Sequence, residues 1–116
     1  MTKYIQTGDA VDYTPGADVS AGDVVVQGDL VGVAKLDIKT GKLGALAVTG
    51  VFDFPKATGT ASAIAAGAKV YWNATNGVAT TTANDGGNPA TAYPYIGKTI
   101  KAAVDADALV RVRLSQ

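Results

Sequence analysis

The sequence contains no cysteine, no histidine and no glutamate among its 116 residues. Without cysteine the chain has no disulfide framework, no thiol nucleophile and no cysteine-based zinc or iron site. Without histidine it lacks the commonest general base, the usual partner of a serine nucleophile and the commonest transition-metal ligand. Most enzyme templates therefore fail, and we predict a protein that is not an enzyme and that carries no cofactor and no metal.

An excess of charge of either sign is also missing. Eight Lys and two Arg balance ten Asp, which gives a net charge of zero. Nucleic-acid binding usually rests on a clustered basic face, and these basic residues are scattered, so we expect no nucleic-acid partner. No run approaches the roughly 18 apolar residues of a membrane span, and the N-terminus lacks the apolar region of a secretory signal. We therefore expect no membrane partner and synthesis in the cytoplasm of the cell that produces the protein.

Glycine and aspartate are abundant in the chain, and both residue types favour turns over helices. Between Val19 and Pro55, Gly-centred turns cut short apolar runs at regular intervals, which predicts three or four consecutive strands. We predict an all-β fold, a single small antiparallel β-barrel or sandwich with short hairpins and one long loop over residues 83–93. Residues 15–116 are expected to form one β domain, preceded by an N-terminal arm or edge strand over residues 1–14.

Outside this central stretch, β-branched and aromatic residues predict further strands. The connector over residues 56–67 is built of small residues, with one helical turn expected near residues 61–66. A Gly turn before a strand occurs twice, at Val19 and at Ile64, which we interpret as shared hairpin chemistry. The further predicted strands are Lys3–Gln6, Ala10–Thr14, Lys69–Ala74, Val78–Thr82, Pro94–Lys101 and Leu109–Leu114.

The alternation of side chains along a strand divides the central stretch into two faces. In the predicted strand Leu30–Ile38, Leu30, Leu36 and Ile38 are assigned to the core on this basis. The opposite face carries the apolar residues Val25, Val31 and Val33, and an exposed patch of this kind usually marks a partner. The alternative is that other parts of the same chain cover it. We predict interface roles for Tyr4, Ile5, Val25, Val31, Val33 and Tyr71.

Three groups with a catalytic or ligand-binding appearance have simpler structural interpretations. Gly97-Lys98-Thr99 resembles the end of a phosphate-binding loop, but Ala92 stands where the loop needs its first Gly. Asp105 and Asp107 suit a hard cation, yet paired Asp residues before a strand are more often a solvated turn. Asp53 lies between two Phe residues, and alternation places it on the surface.

A stacking platform for bases or sugars needs basic residues beside aromatic ones such as Tyr71, Tyr93 and Tyr95. Because no basic residues accompany these tyrosines, a core edge or a protein interface is the better interpretation, since Tyr buries a ring while keeping its hydroxyl paired.

The succession AGDVVVQGDLVGVAKLDIKTGKLGALAVTGVFDFPKATGTA, followed by AIAAGAKVYWNA and a closing LVRVRL, resembles a family of small tailed-phage capsid decoration or cement proteins. This family was long filed as a domain of unknown function and was sometimes labelled a recombinase. The likeness covers residues 7–114. Its markers are the Gly-Asp strand openers, Gly-Val-Ala at 32–34, Gly-Val-Phe at 50–52 and Gly-x-x-Val-Tyr-Trp at 67–72, none of which is catalytic.

The resemblance implies a virion protein that binds the outer surface of the assembled phage head and stabilises it. The implied partners are the major capsid protein and other copies of the same chain, with a homo-oligomer, most plausibly a trimer, expected by analogy with symmetric shells. The alternative from another class is a tail-fibre or sugar-binding adhesin module, which the all-β, Gly- and Thr-rich composition also permits.

Overall fold

The computed structural model describes residues 2–3 and 8–115, and these form strands and turns with no helix. Nine strands follow one another along this part of the chain. They are β1 (Ala10–Tyr13), β2 (Val24–Gln27), β3 (Leu30–Ala34), β4 (Gly44–Ala47), β5 (Gly50–Pro55), β6 (Lys69–Asn73), β7 (Val78–Thr80), β8 (Tyr95–Thr99) and β9 (Leu109–Leu114).

The strands form two antiparallel sheets, with orders β1-β4-β3-β2 and β5-β9-β8-β6-β7. The all-β prediction is confirmed, although neither sheet is a closed barrel. The chain divides into two compact units. The first comprises the residues up to Val25 together with Gly32–Thr49, and the second comprises Val26–Val31 together with the residues from Gly50 onward.

The first unit has a small core on one face of its sheet. Leu46, Ala34 and Ile38 are buried there, and half-buried apolar side chains from β1, β2 and the preceding turn pack against them. Gly44 makes this packing possible, because a Cβ at that position would lie 2.6 Å from the Ile38 side chain. The partly buried members are Val11, Tyr13, Val19 and Val25.

The second unit contains the larger core, built mostly from alternate residues of its strands. Six residues of β5 pair in register with six of β9, from Gly50 opposite Leu114 to Pro55 opposite Leu109. Phe54 packs edge-on against Trp72 with ring centroids 6.1 Å apart. At the two edges of this sheet, Lys56, which directly follows β5, forms an isolated parallel bridge with Ala79 of β7. The sheet therefore curls until its edges touch without closing by a continuous ladder.

Most predicted strands are present with slightly shorter bounds, and the alternation of β9 is confirmed, with Val110, Val112 and Leu114 almost completely buried. Three expectations were wrong. The strand predicted to reach Ile38 ends at Ala34, Leu36 is 76 % exposed instead of being in the core, and no helical turn occurs over residues 61–66. Most of the predicted Lys3–Gln6 strand lies outside the described residues.

The exposed apolar stripe predicted at Val31 and Val33 is not observed. Both side chains are buried, with 0 % and 7 % exposure, so the alternative interpretation, that the chain covers this strand itself, is the correct one. Alternation failed here because four successive residues, 31–34, are buried, as in a strand covered on both faces.

Candidate interaction surfaces

The first unit carries an open groove of about 580 Å³ whose most exposed apolar side chains are leucines. Leu36 follows β3 and Leu43 precedes β4, and they are 76 % and 72 % exposed. We call this surface the leucine groove. Its remaining lining residues are Asp9, Ala10, Lys35, Asp37, Ile38, Lys39, Lys42, Gly44, Ala45 and Ala47.

Aspartate side chains hold the turns that present these leucines. Asp18 Oδ1 accepts hydrogen bonds from the backbone N–H and the hydroxyl of Thr40, both at 2.8 Å. These two bonds, followed by the charge of Lys39, hold the pKa of Asp18 below its usual range. Asp37 Oδ1 accepts a further bond from Ala21 N at 2.8 Å. The connection between β3 and β4 is therefore fixed by carboxylates of the same unit.

The lining of the leucine groove combines charged residues with small apolar ones. Lys35, Lys39 and Lys42 supply three positive charges, against the two negative charges of Asp9 and Asp37. Lys39 also lies 3.7 Å from Asp18, in a pair that is largely exposed and therefore contributes little to stability. Ala10, Ala45 and Ala47 also line the groove. A complementary surface would present apolar side chains flanked by acidic ones.

A second surface lies on the outward side of β5 and β9 in the second unit. Val51 and Leu109 are 52 % and 53 % exposed there. Between them Arg111 forms a bidentate pair with Asp53, with Nε 2.9 Å from Oδ1 and an outer guanidinium nitrogen 3.1 Å from Oδ2. The hydrogen bonds from Arg111 lower the pKa of Asp53 and raise that of Arg111. The predicted surface position of Asp53 is confirmed.

Of the predicted interface residues, Val31 and Val33 are buried. Val25 and Tyr71 are half-buried, and the Tyr71 ring packs edge-on against Tyr95 with centroids 5.7 Å apart. Tyr4 and Ile5 lie outside the described residues. The interface roles of these four residues stay predictions.

Sequence reasoning did not identify the leucine groove. Leu36 was assigned to the core because alternation was carried beyond the end of β3, and Leu43 was not singled out. The sequence did carry a signal that both leucines are exposed, because each has charged neighbours. Lys35 and Asp37 flank Leu36, and Lys42 precedes Leu43.

The motifs with a catalytic or ligand-binding appearance serve the fold. Gly97-Lys98-Thr99 lies within β8, and the buried Thr99 hydroxyl donates to Ala65 O at 2.6 Å. Asp105 Oδ1 accepts hydrogen bonds from Ser62 N and Ala63 N. Asp107 Oδ2 accepts one from Val104 N.

No group of three or more acidic residues within the described ranges is arranged to hold a metal ion. In the same part of the chain, no helix has the length and apolar character required to cross a membrane.

Comparison with known proteins gives one match. Neither the curated proteins nor the solved structures include a match to this chain. A family model described as phage cement protein matches residues 5–114, which is nearly the whole chain. The family resemblance noted from the sequence is thereby confirmed, and with it a capsid decoration role in the phage virion. The chain belongs to the phage cement protein family.

Proposed function

We propose that this protein is a non-enzymatic cement protein that binds the outer surface of the assembled phage head, through the major capsid protein, and stabilises the shell. The observation that carries the proposal is the family match over residues 5–114. The residue inventory supports it, because a chain without His and Cys lacks the usual nucleophile and base pairs.

The leucine groove is the surface that we propose for contact with the shell. Its two leucines are the most exposed large apolar side chains among the described residues. Removing one leucine side chain from water contributes about 1.5 to 3 kcal/mol. The three lysines of the groove favour contact with an acidic surface on the shell. They would also speed the association of the protein with such a shell at low salt.

Co-sedimentation of the purified protein with mature, undecorated heads tests both parts of the proposal. We expect saturable binding in a fixed ratio to the major capsid protein, and heads that withstand higher temperatures once decorated. Binding to no form of the head would contradict the cement role, and glycan binding by an adhesin module would then be tested.

Charging the leucine groove tests the proposed contact surface separately. Leu36→Asp and Leu43→Asp are expected to weaken head binding by at least about tenfold, because each buries a charge against apolar surface. Ile100→Asp is the matched control, since Ile100 is 51 % exposed and lies in the second unit. Circular dichroism establishes that all three variants remain folded. Equal binding by all of them would remove the groove from the proposal while leaving the cement role intact.

We also propose self-association, most plausibly as a trimer, because decoration sites on icosahedral shells lie on or near symmetry axes. Tyr4, Ile5, Val25 and Tyr71 are our candidates for contacts between copies or with the shell. For Val31 and Val33, burial supports a role in the core. Analytical ultracentrifugation over a range of concentrations measures the oligomer, and a monomer at all of them would contradict self-association of the free protein.

A further inference from the structure

Lys56 is a buried lysine in the second unit. The residue is 5 % exposed. Its Nζ donates to Ala57 O at 2.6 Å and lies 3.5 Å from Ser62 Oγ, a long contact for a hydrogen bond. An ammonium group has three N–H donors, so at least one is left without an acceptor among the described residues.

No carboxylate among the described residues forms an ion pair with the Lys56 ammonium. Within the described part of the chain the ion pairs are Lys39 with Asp18 and Arg111 with Asp53. A buried charge is costly unless it is paired and hydrogen-bonded. The surroundings of Lys56 therefore favour a ligand that brings an anionic oxygen.

Lys56 lies at the seam of the five-stranded sheet, where its bridge to Ala79 joins the two edges. A groove of about 340 Å³ opens here. Its lining is rich in hydroxyl and amide groups, which together can hydrogen-bond a small polar ligand. These residues are Thr58, Thr60, Ser62, Asn73, Asn76, Thr80, Thr81 and Thr82.

Asn73 adds a second donor to the same groove. It is 8 % exposed, and its Oδ1 accepts a hydrogen bond from Asn76 N at 3.2 Å. Its amide nitrogen, Nδ2, donates to no described residue. An ammonium and an amide N–H₂ that line one groove with unused donors are a suitable pair for the two oxygens of a carboxylate.

The loop that contacts the Lys56 ammonium contains one residue in an unfavourable conformation. Ala61 has a φ of 63°, which costs a residue with a Cβ about 1 to 2 kcal/mol. Asp105 maintains the loop, because its Oδ1 accepts hydrogen bonds from Ser62 N at 3.1 Å and from Ala63 N at 2.8 Å. Strain of this kind persists where the surroundings fix it, and it is concentrated at binding sites.

We propose that this groove binds a carboxylate group, with the Lys56 ammonium as its counter-charge and Asn73 Nδ2 and the groove hydroxyls as further donors. The carboxylate belongs to an acidic side chain of a neighbouring protein or to a free carboxylate anion. The site shares no residue with the leucine groove. Its test needs only the purified protein, so its failure is distinguishable from failure of the cement role.

The test follows amide and lysine side-chain NMR signals during two titrations at constant ionic strength. The first probe is acetate with chloride as the control anion. The second is a capped peptide with one Glu, with the matching Gln peptide as its control. We expect saturable shifts confined to residues 56–62 and 73–82 and to the Lys56 ammonium. Binding of the Glu peptide alone identifies a protein side chain as the ligand, and equal binding of acetate identifies a free anion.

Lys56→Met retains the length of the aliphatic chain and removes the charge, and it is expected to weaken binding by at least about tenfold. Lys69→Met, which changes an exposed lysine of the same unit, is the matched control and should bind normally. If Lys56→Met does not fold, the shift of the wild-type Lys56 ammonium signal decides the question alone. No saturable shift with either probe, or unchanged binding by a folded Lys56→Met, would overturn the proposal.

Discussion

Aspartate side chains accept hydrogen bonds from backbone N–H groups at the turns of this protein. The short Asp side chain reaches the backbone of its own or a facing turn, whereas Glu places its carboxylate one methylene further out. This geometry favours Asp over Glu at six of the ten Asp positions. The residues that accept such bonds are Asp18, Asp23, Asp37, Asp85, Asp105 and Asp107.

These hydrogen bonds make stability dependent on pH in the acid range. The pKa values of Asp18 and Asp85 are lowered in the folded state, in each case first by a backbone N–H bond, from Thr40 and Thr91 respectively. A lowered folded pKa contributes stability that is fully present above the unfolded value, about 3.9. This contribution is lost as the pH falls through the folded pKa.

We therefore expect the free energy of unfolding to fall as the pH decreases from about 5 to below 3. Asp18→Asn should flatten this dependence, because the variant has no carboxylate to protonate at that turn. Urea unfolding at several pH values measures the slope. Asp29→Asn is the control, since the exposed Asp29 side chain makes no hydrogen bond to a described residue. A slope for Asp18→Asn as steep as that of the wild-type protein would contradict the prediction.

At the scale of elements, one turn arrangement occurs twice with equivalent hydrogen bonds. Gly22 N donates to Ala34 O at 2.6 Å in the first unit, and Gly67 N donates to Thr99 O at 2.8 Å in the second. Three residues before each Gly, an apolar residue forms an isolated antiparallel bridge, Val19 with Ile38 and Ile64 with Ala103. The echo seen in the sequence is thus a shared way of entering a strand.

Sequence patterns predicted strands well where one face of a strand is buried and the other is exposed. In β9 the alternation of apolar residues with Arg111 and Arg113 matches the burial residue by residue. In β3 the same rule failed because residues on both faces are buried. It failed again at Leu36, because the chain leaves the strand after Ala34 and periodicity does not reveal that point.

Close approach of two strands makes Gly97 necessary in β8. It pairs with Val70 of β6 and Leu114 of β9, so the strand is central in its sheet. A Cβ at Gly97 would lie 2.0 Å from the carbonyl oxygen of Arg113, a backbone atom that cannot rotate away. We expect Gly97→Ala to lower the free energy of unfolding by about 2 kcal/mol or more, because β8 and β9 must separate.

Urea unfolding followed by Trp72 fluorescence measures this loss. The matched control is Gly16→Ala, where a Cβ would meet nothing within 4 Å. It should change the free energy of unfolding by no more than about 0.5 kcal/mol. Equal values for the two variants would show that the strands can accommodate the methyl group.

At the scale of the whole molecule, the proposed cement function depends on surfaces that contact the phage head. The residue types missing from the sequence led us to predict a protein that is not an enzyme, and the chain belongs to a family of structural phage proteins. The position of the leucine groove was not predictable in the same way, because turns that no periodic pattern describes bring Leu36 and Leu43 to one surface. If the protein binds the head as we propose, its net charge of zero would limit repulsion between neighbouring copies.

The prediction that residues 15–116 form one domain concerns the cooperativity of unfolding. Independent domains are usually joined by exposed linkers. Here the division between the two units falls inside strands, since β2 and β3 each have residues in both. Unfolding of one unit would therefore disrupt strands of the other, and we expect a single transition with an m-value of about 1 to 2 kcal/mol/M in urea.

Two probes test this cooperativity, one in each unit. Trp72 fluorescence reports on the second unit, and the hydrogen-exchange protection of the Leu46 amide reports on the first. Coincident loss of both signals with urea is the expected result, because a cooperative domain loses its core contacts together. If Leu46 lost protection at a lower urea concentration than Trp72 fluorescence changed, the first unit would be a separate folding unit.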